Sequence, residues 1–370
     1  MKILHIGQLI GGIDVYIRNV IANSHADVQY AIIYGEDDNP QLDFFKNHNV
    51  KLYTTALHRN LNVIDDLKAF FDILKVIHRE HPDVIHCHSA KSGFIGRIVG
   101  AITHIKTFYT PHAFSFLSTP KYFKRLLYRL LEHSAIMSSY LLACSESERK
   151  LGVEIVGYPK DRALVWHNSI PKAPAINNFD VVGNYRFNDY ICYMARPSYQ
   201  KNPGFLLNVM SEVHKRLPHL RFCLLGIGYH SPDLLFLKAG IAKLGLTGCV
   251  DMFSWLPHEI CLEYIKHCKL YLTVSRYEGI SLTALEAMSL GKVIVASDVV
   301  GNRDCVFNGQ NGYLLPFDPS LFATKIAEII RNDELRKRME ANSLRIFREK
   351  FFIDNRINEL DKIYASDYSC

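Results

Sequence analysis

The sequence predicts an α/β protein in which a parallel sheet covered on both faces by helices forms twice. Three observations carry that expectation. Short apolar runs alternate with helical patterns along the whole chain. Its 370 residues are too many for one typical domain and suit two. A stretch rich in Pro, Asn and Gly with weak periodicity, residues 171–188, lies between the halves and reads as a linker. The expected domains are therefore 1–170 and 189–348, followed by a helix over 349–370 that packs back on the first domain.

The strand candidates follow from the apolar runs. In the first half they are 2–6, 29–34, 84–87, 106–109, 141–144 and 164–166; in the second, 191–194, 222–225, 250–253, 270–274 and 293–296. The last segment, Asp333 to Tyr364, is a charged helical pattern. Ligands of such sheets bind beyond the carboxyl ends of the strands, so the loops there are the places to search.

Composition narrows the class. A 48% hydrophobic share is ample for two cores, and a formal charge of +6 does not argue for nucleic acid. The chain enters a strand at once, with no signal peptide and no apolar run long enough to span a bilayer, so a cytoplasmic protein is expected. Its nine Cys are scattered, mostly inside apolar runs, and read as small core residues of a reducing compartment.

Taken in order, the first strand empties into a turn with Gly11 and Gly12, which let backbone approach a phosphate but do not spell a dinucleotide fingerprint. His86 and His88 alternate on one strand face; with no third ligand apparent, no metal is expected. Lys91 and Arg97 follow on a helix, either meeting an anion or serving as solvated surface charge. His112 sits in a loop after Pro111, where a catalytic side chain or an ordinary loop histidine is equally at home. From Phe114 to Leu131 aromatic and aliphatic residues interleave with Lys121, Lys124, Arg125 and Arg129, and no acid falls between Asp83 and Glu132. That pattern fits an anionic membrane surface or a core helix with a wet basic face.

In the second half, Arg196 and Lys201 follow the first strand and could clamp a diphosphate. Gly226 and Gly228 mark the next strand end, and the loop through Leu256 could read a base. The most informative stretch is Tyr277 to Asp298. Ser281 can cap a short helix, Gly291 can stop it, and an apolar strand follows. The helix is apolar almost all round, yet Glu286 sits in its middle, and a buried carboxylate requires donors. With Glu278 just before the helix and the Gly279-Ile280-Ser281 backbone at its amino end, a ligand carrying phosphates between two hydroxyl-rich groups is suited; a capping Glu and a core Glu paired with an Arg or Lys would also account for the carboxylates.

These residues together resemble the retaining nucleotide-sugar glycosyltransferases of the GT-B fold, specifically glycosyltransferase family 4. The resemblance covers essentially the full length and is carried by EGISLTALEAM and GNRDCVFNGQNGYL, with HSAKSGFIGR and TPHAFSF similar to its bacterial capsule, exopolysaccharide and O-antigen branch. It departs from the usual wording at Tyr229, Ser254, Asn302 and Asp304. The resemblance implies two Rossmann-like domains whose parallel sheets face a central cleft. It implies that Glu286 holds the ribose, and that Glu278 and the amides of Gly279, Ile280 and Ser281 meet the sugar and diphosphate. Gly226, Gly228 and Leu256 lie in the donor site; Arg196 and Lys201 neutralise the departing diphosphate, Gly11 and Gly12 close on it, and His112 lies beside the sugar.

On that basis the expected activity is retaining, metal-independent and without cofactor, moving a hexose or N-acetylhexosamine from a UDP-sugar to a polyprenyl-diphosphate-linked saccharide. The expected location is the inner face of the membrane, with Lys91 and Arg97 toward the acceptor phosphates and Phe114–Leu131 docked on the bilayer. The same enzyme class acting on a soluble sugar phosphate, and a nucleotide-sugar-binding protein without turnover, are the alternatives. A nicotinamide-dependent oxidoreductase is argued against by the missing fingerprint.

Overall fold

Two parallel sheets organise the chain in a computed structural model that describes residues 1–58, 62–174, 189–228 and 231–366. The first contains β1 (Lys2–Ile6), β2 (Gln29–Gly35), β3 (Lys51–Thr55), β4 (Val84–His88), β5 (Lys106–Thr110), β6 (Tyr140–Ala143) and β7 (Ala163–Val165). Its order is β3-β2-β1-β4-β5-β6-β7. The second contains β8 (Tyr190–Met194), β9 (Arg221–Leu225), β10 (Val250–Met252), β11 (Leu270–Thr273), β12 (Ile294–Ser297) and β13 (Gly312–Leu315), in the order β10-β9-β8-β11-β12-β13. Every strand candidate read from the sequence is present within a residue or two. The edge strands β3 and β13 were not anticipated, because KLYTT and GYLL lack the continuous apolar run of a central parallel strand.

Two compact units contain these sheets: Met1–Pro171 with the chain from Ile353 onward, and Lys172–Phe352. Most of the expected linker, residues 175–188, lies outside the described residues. The charged carboxy-terminal pattern is two helices rather than one. Asp333–Lys350 belongs to the second unit, and Ile353–Ala365 packs Ile353, Ile357, Leu360 and Tyr364 into the first. There Trp166 Nε1 donates to the Arg356 carbonyl at 3.1 Å, and Ile353 N to that of Ile170 at 3.1 Å.

Strand alternation fixes which side chains share a face. Along β1, Leu4 and Ile6 join one core while Ile3 joins the other. His5 falls on the second face with Tyr16 and Tyr30. In each sheet the chain reverses its progress at one place, between β1 and β4 and between β8 and β11. Those reversals leave a crevice at the carboxyl ends of the strands, the usual place for a ligand in an open α/β sheet. All eight described cysteines are buried and free, and no helix among the described residues is long and apolar enough to cross a membrane.

Candidate functional site

At the reversal point of the second sheet, β8 pairs with β11 through Leu270↔Ile191 and Tyr271↔Cys192. The loops leaving the two strands therefore meet. Lys201 Nζ lies 2.5 Å from Glu278 Oε1, and Gln200 Nε2 donates to Glu278 Oε2 at 3.1 Å and to the Tyr277 carbonyl at 3.2 Å. Arg276 N donates to the Gln200 carbonyl at 2.8 Å, tying the loops together again. Arg196, from the same loop as Lys201, stays exposed.

Behind this pair the backbone is crowded. Glu278 N donates to the Val300 carbonyl at 3.0 Å, and Gly301 has φ +82°. A Cβ at Gly301 would lie 2.4 Å from the Gly279 carbonyl oxygen and 2.7 Å from that of Glu278. Only glycine tolerates both that conformation and that approach. Asn302, buried beside it, donates from Nδ2 to the Ser297 carbonyl at 3.0 Å.

Ser281 caps the helix Leu282–Ser289 by accepting from Ala284 N at 3.4 Å, and Gly291 turns the chain away with φ +71°. Ile280 and Ser281 are buried at its start. Glu286 is 9% exposed; its Oε1 lies 2.8 Å from His258 Nε2, while its Oε2 is buried with no hydrogen-bond partner among the described residues. His258 opens the helix His258–His267, which follows the loop containing the half-buried Leu256. The donor that the buried carboxylate required is thus a histidine 28 positions away in sequence, and no local pattern pointed to it. Gly226 has φ +78°, and at Gly228 a Cβ would meet Trp255 Nε1 at 2.6 Å. Tyr229 lies outside the described residues.

The first unit gathers histidines at its own reversal point. His5 on β1 pairs in register with His86 on β4, and His88 follows on the same face. His5 Nδ1 lies 2.8 Å from His88 Nε2, and His88 Nδ1 lies 3.1 Å from His112 Nε2. Burial pushes the imidazoles of His5 and His112 down to about 3 and lowers those of His86 and His88, so all four are neutral near pH 7. His5 thereby supplies the third imidazole that the sequence spacing did not reveal: nitrogens of His5, His86 and His88 lie within 4.8 Å of one another, close enough for a metal.

Proton accounting favours a hydrogen-bonded chain there instead. Thr110 Oγ1 donates to the Leu142 carbonyl at 2.7 Å, so it accepts from His86 Nε2 at 2.8 Å, and the lone pair on His86 Nδ1 receives the Tyr364 hydroxyl at 2.7 Å. His5 Nε2 is buried without a hydrogen-bond partner among the described residues. An orphaned lone pair costs less than an orphaned N–H, which puts the His5 proton on Nδ1, donated to His88. His88 in turn donates from Nδ1 to His112 Nε2, leaving His112 with its proton on Nδ1. Of the three lone pairs only that of His5 Nε2 remains uncommitted. The His112 loop is itself held by Glu148, whose Oε1 accepts from Ala113 N at 2.7 Å, with φ +53° at His112 and +85° at Ala113. Gly11, with φ +61°, and Gly12 are exposed at the start of the helix Gly12–Asn23.

The basic residues of this unit divide. Arg97 faces no phosphate: it is 1% exposed, its Nη2 donates to Glu132 Oε2 at 2.9 Å, its Nη1 to Tyr158 Oη at 3.0 Å, and it lies 3.9 Å from the Tyr109 ring centroid. The helix Ala90–Thr103 turns that face into the core, which periodicity alone did not reveal. Lys91 Nζ is paired with Asp66 Oδ1 at 2.5 Å. Phe114 and Phe116 are also core residues and leave the proposed docking segment. Lys121 and Lys124 are exposed, whereas Arg125 and Arg129 are half-buried, each with a buried Nε lacking a hydrogen-bond partner among the described residues. The helix Tyr122–Ser134 leaves Tyr122, Phe123, Leu126, Leu127 and Leu130 exposed.

Comparison with known proteins agrees with this geometry. Residues 10–173 match the family described as Glycosyltransferase Family 4, and residues 177–345 that described as Glycosyl transferases group 1. The UDP-Gal:alpha-D-GlcNAc-diphosphoundecaprenol alpha-1,3-galactosyltransferase of Escherichia coli is 24% identical over 89% of this chain and 87% of its own. An uncharacterized 41.2 kDa protein in the cps region of Klebsiella pneumoniae is 27% identical over 89% of each chain. In fold, the sucrose-phosphate synthase of Thermosynechococcus elongatus superimposes with a TM-score of 0.83 at 15% identity, covering 98% of both chains. Anabaena HepE in complex with UDP gives a TM-score of 0.80 at 19% identity, covering 98% of this chain and 99% of that one.

Proposed function

Because the chain belongs to the glycosyltransferases that join a family 4 domain to a group 1 domain in the GT-B fold, we propose that it transfers a hexose or N-acetylhexosamine from a UDP-sugar. The proposed acceptor is a polyprenyl-diphosphate-linked saccharide in bacterial surface polysaccharide assembly, and the anomeric configuration is retained. The observation that carries this reading is the pair of buried carboxylates at the reversal point of the second sheet. Glu278 is held by Lys201 and Gln200, and Glu286 keeps one buried oxygen without a hydrogen-bond partner among the described residues. A ribose diol supplies the hydroxyl that this oxygen lacks.

In this reading Arg196 and Lys201 stabilise the charge that gathers on the leaving diphosphate, with fixed cations in the role a divalent metal plays elsewhere. The backbone of Gly279, Ile280 and Ser281 meets the phosphates and sugar, and Gly226, Gly228 and Leu256 border the nucleoside. Front-face attack forms the acceptor oxygen to C1 bond as the C1 to phosphate oxygen bond breaks. The acceptor proton passes to that phosphate oxygen, releasing UDP. His112, with its proton on Nδ1, is a donor suited to a sugar hydroxyl, and Gly11 and Gly12 allow close approach of a phosphate. The acceptor class is supported by the name of the E. coli relative and by the basic, apolar helix Tyr122–Ser134, whose composition suits a peripheral position on an anionic membrane.

The test is transfer itself. Purified protein, a chelator, a panel of UDP-sugars and a polyprenyl-diphosphate N-acetylglucosamine acceptor should give one extended lipid-linked product, its new anomeric proton matching that of the donor by NMR. Product formed only with sugar phosphates would replace the acceptor; an inverted anomer would overturn the mechanism.

A further inference from the structure

Apart from the residues given roles in transfer, the first unit contains a cavity of about 450 Å³. Three helices wall it: Leu67 and Phe70 come from Val63–Glu80, Phe94 and Ile98 from Ala90–Thr103, and Tyr128 and Leu131 from Tyr122–Ser134. Its charged groups are already committed, Lys91 to Asp66 at 2.5 Å and Arg97 to Glu132 at 2.9 Å. Apolar walls with their few polar groups engaged suit a hydrocarbon better than a sugar or a nucleotide, whose hydroxyls would be stripped of water without compensation.

Large apolar side chains also remain in water on the two helices that flank the cavity, Ile64 and Leu67 on one and Phe123, Leu127 and Leu130 on the other. On the second of these and at its N-cap, Lys121, Lys124, Arg125 and Arg129 occur with no acid until Glu132, which is buried against Arg97. An apolar slot beside a cationic helix is complementary to a molecule that joins a hydrocarbon chain to an anionic diphosphate.

We infer that this cavity binds the isoprenoid chain of the polyprenyl-diphosphate acceptor, with the phosphates against the Lys121–Arg129 side of the helix. The inference rests on the acceptor class proposed above and deepens it, since the lipid chain then has a site in the protein as well as in the bilayer. It also gives the Lys91–Asp66 pair a place, as a polar lining of an apolar pocket rather than a contact to acceptor phosphates.

Calorimetry with farnesyl diphosphate and inorganic diphosphate, without detergent and with UDP saturating the donor site, tests it. Farnesyl diphosphate should bind at least about tenfold more tightly than inorganic diphosphate, the chain adding apolar burial. Ile98→Trp, which fills the cavity, should erase that difference, while Lys124→Gln should weaken both ligands. UDP binding should be unchanged in each variant, which reports an intact fold; should Ile98→Trp fail to fold, Leu67→Asp on the exposed rim makes the same test. Equal affinity for the two diphosphates, or a difference that survives Ile98→Trp, overturns the inference. So does a result in which only anionic vesicle binding responds to the charge change, for then the helix meets the bilayer alone. Wild-type protein that binds farnesyl diphosphate as expected but not UDP would sink the donor reading and leave this one standing.

Discussion

Lys201 Nζ lies 2.5 Å from Oε1 of Glu278, although 77 positions separate them in sequence. Neighbouring strands β8 and β11 create the contact by delivering their loops to one place. Because Glu278 is 5% exposed, its charge depends on that cation and on Gln200. Lys201→Ala should destabilise the protein by roughly 1–3 kcal/mol in a urea titration. It should also lower kcat by about a hundredfold or more, the scale of losing one charge-stabilising donor. Unchanged turnover would remove Lys201 from the chemistry.

Gly301 presses on the Glu278 and Gly279 carbonyls from behind. Gly301→Ala would place a Cβ inside contact distance at a positive φ, so the loop must shift. The expected result is at least about tenfold weaker UDP binding by calorimetry, with farnesyl diphosphate binding unaltered. Wild-type UDP affinity in this variant would show that the loop position does not matter.

The histidine chain predicts a pH dependence of stability. Unfolded imidazoles take up protons below about 6.5, whereas the buried His5 and His112 resist until about 3. The unfolded state therefore binds more protons across that window, and stability, fully present above it, is lost as pH falls. Each such imidazole contributes up to about 1.4 kcal/mol per pH unit. His5→Phe should make the slope shallower by about that amount between pH 6 and 5. Nitrogen-15 NMR of the wild type should find His112 neutral at pH 6 with its proton on Nδ1. A proton on Nε2 would reverse the direction of the chain.

The exposed cations of the helix Tyr122–Ser134 and its approach should govern membrane binding. Each basic residue near an anionic surface contributes about 1 kcal/mol, so Lys121→Gln with Lys124→Gln should weaken co-sedimentation with phosphatidylglycerol vesicles by roughly thirtyfold. Added salt should have the same effect on wild type. Unchanged sedimentation would discard the docking proposal.

Much of the fold was legible because central parallel strands, buried on both faces, are continuous apolar runs such as Val293 to Ala296. The edge strands Lys51–Thr55 and Gly312–Leu315 were not, since an edge does not need such a run. Glu286 was legible as a conflict, a carboxylate inside an apolar helix, and Ser281 and Gly291 as its cap and stop. Its partner His258 was hidden because the packing of the helix His258–His267 on Leu282–Ser289 brings it there, and Gln200 beside Glu278 and His5 beside His88 were hidden because strand adjacency rather than local pattern brings them together. Arg97 was misplaced for a related reason: one basic residue on a helix does not reveal whether that face meets water or, as here, Glu132 and Tyr109.

In the proposed nucleoside diphosphate site of the second unit, Glu286 holds the ribose. Thermal unfolding with UDP in a chelating buffer, on wild type and Glu286→Ala, tests it most directly. UDP at a hundredfold over its dissociation constant should stabilise the wild type by about 2.7 kcal/mol and the variant far less. An equal shift in both would take the ribose from Glu286. No shift with UDP, or one with NAD in its place, would contradict the donor site itself.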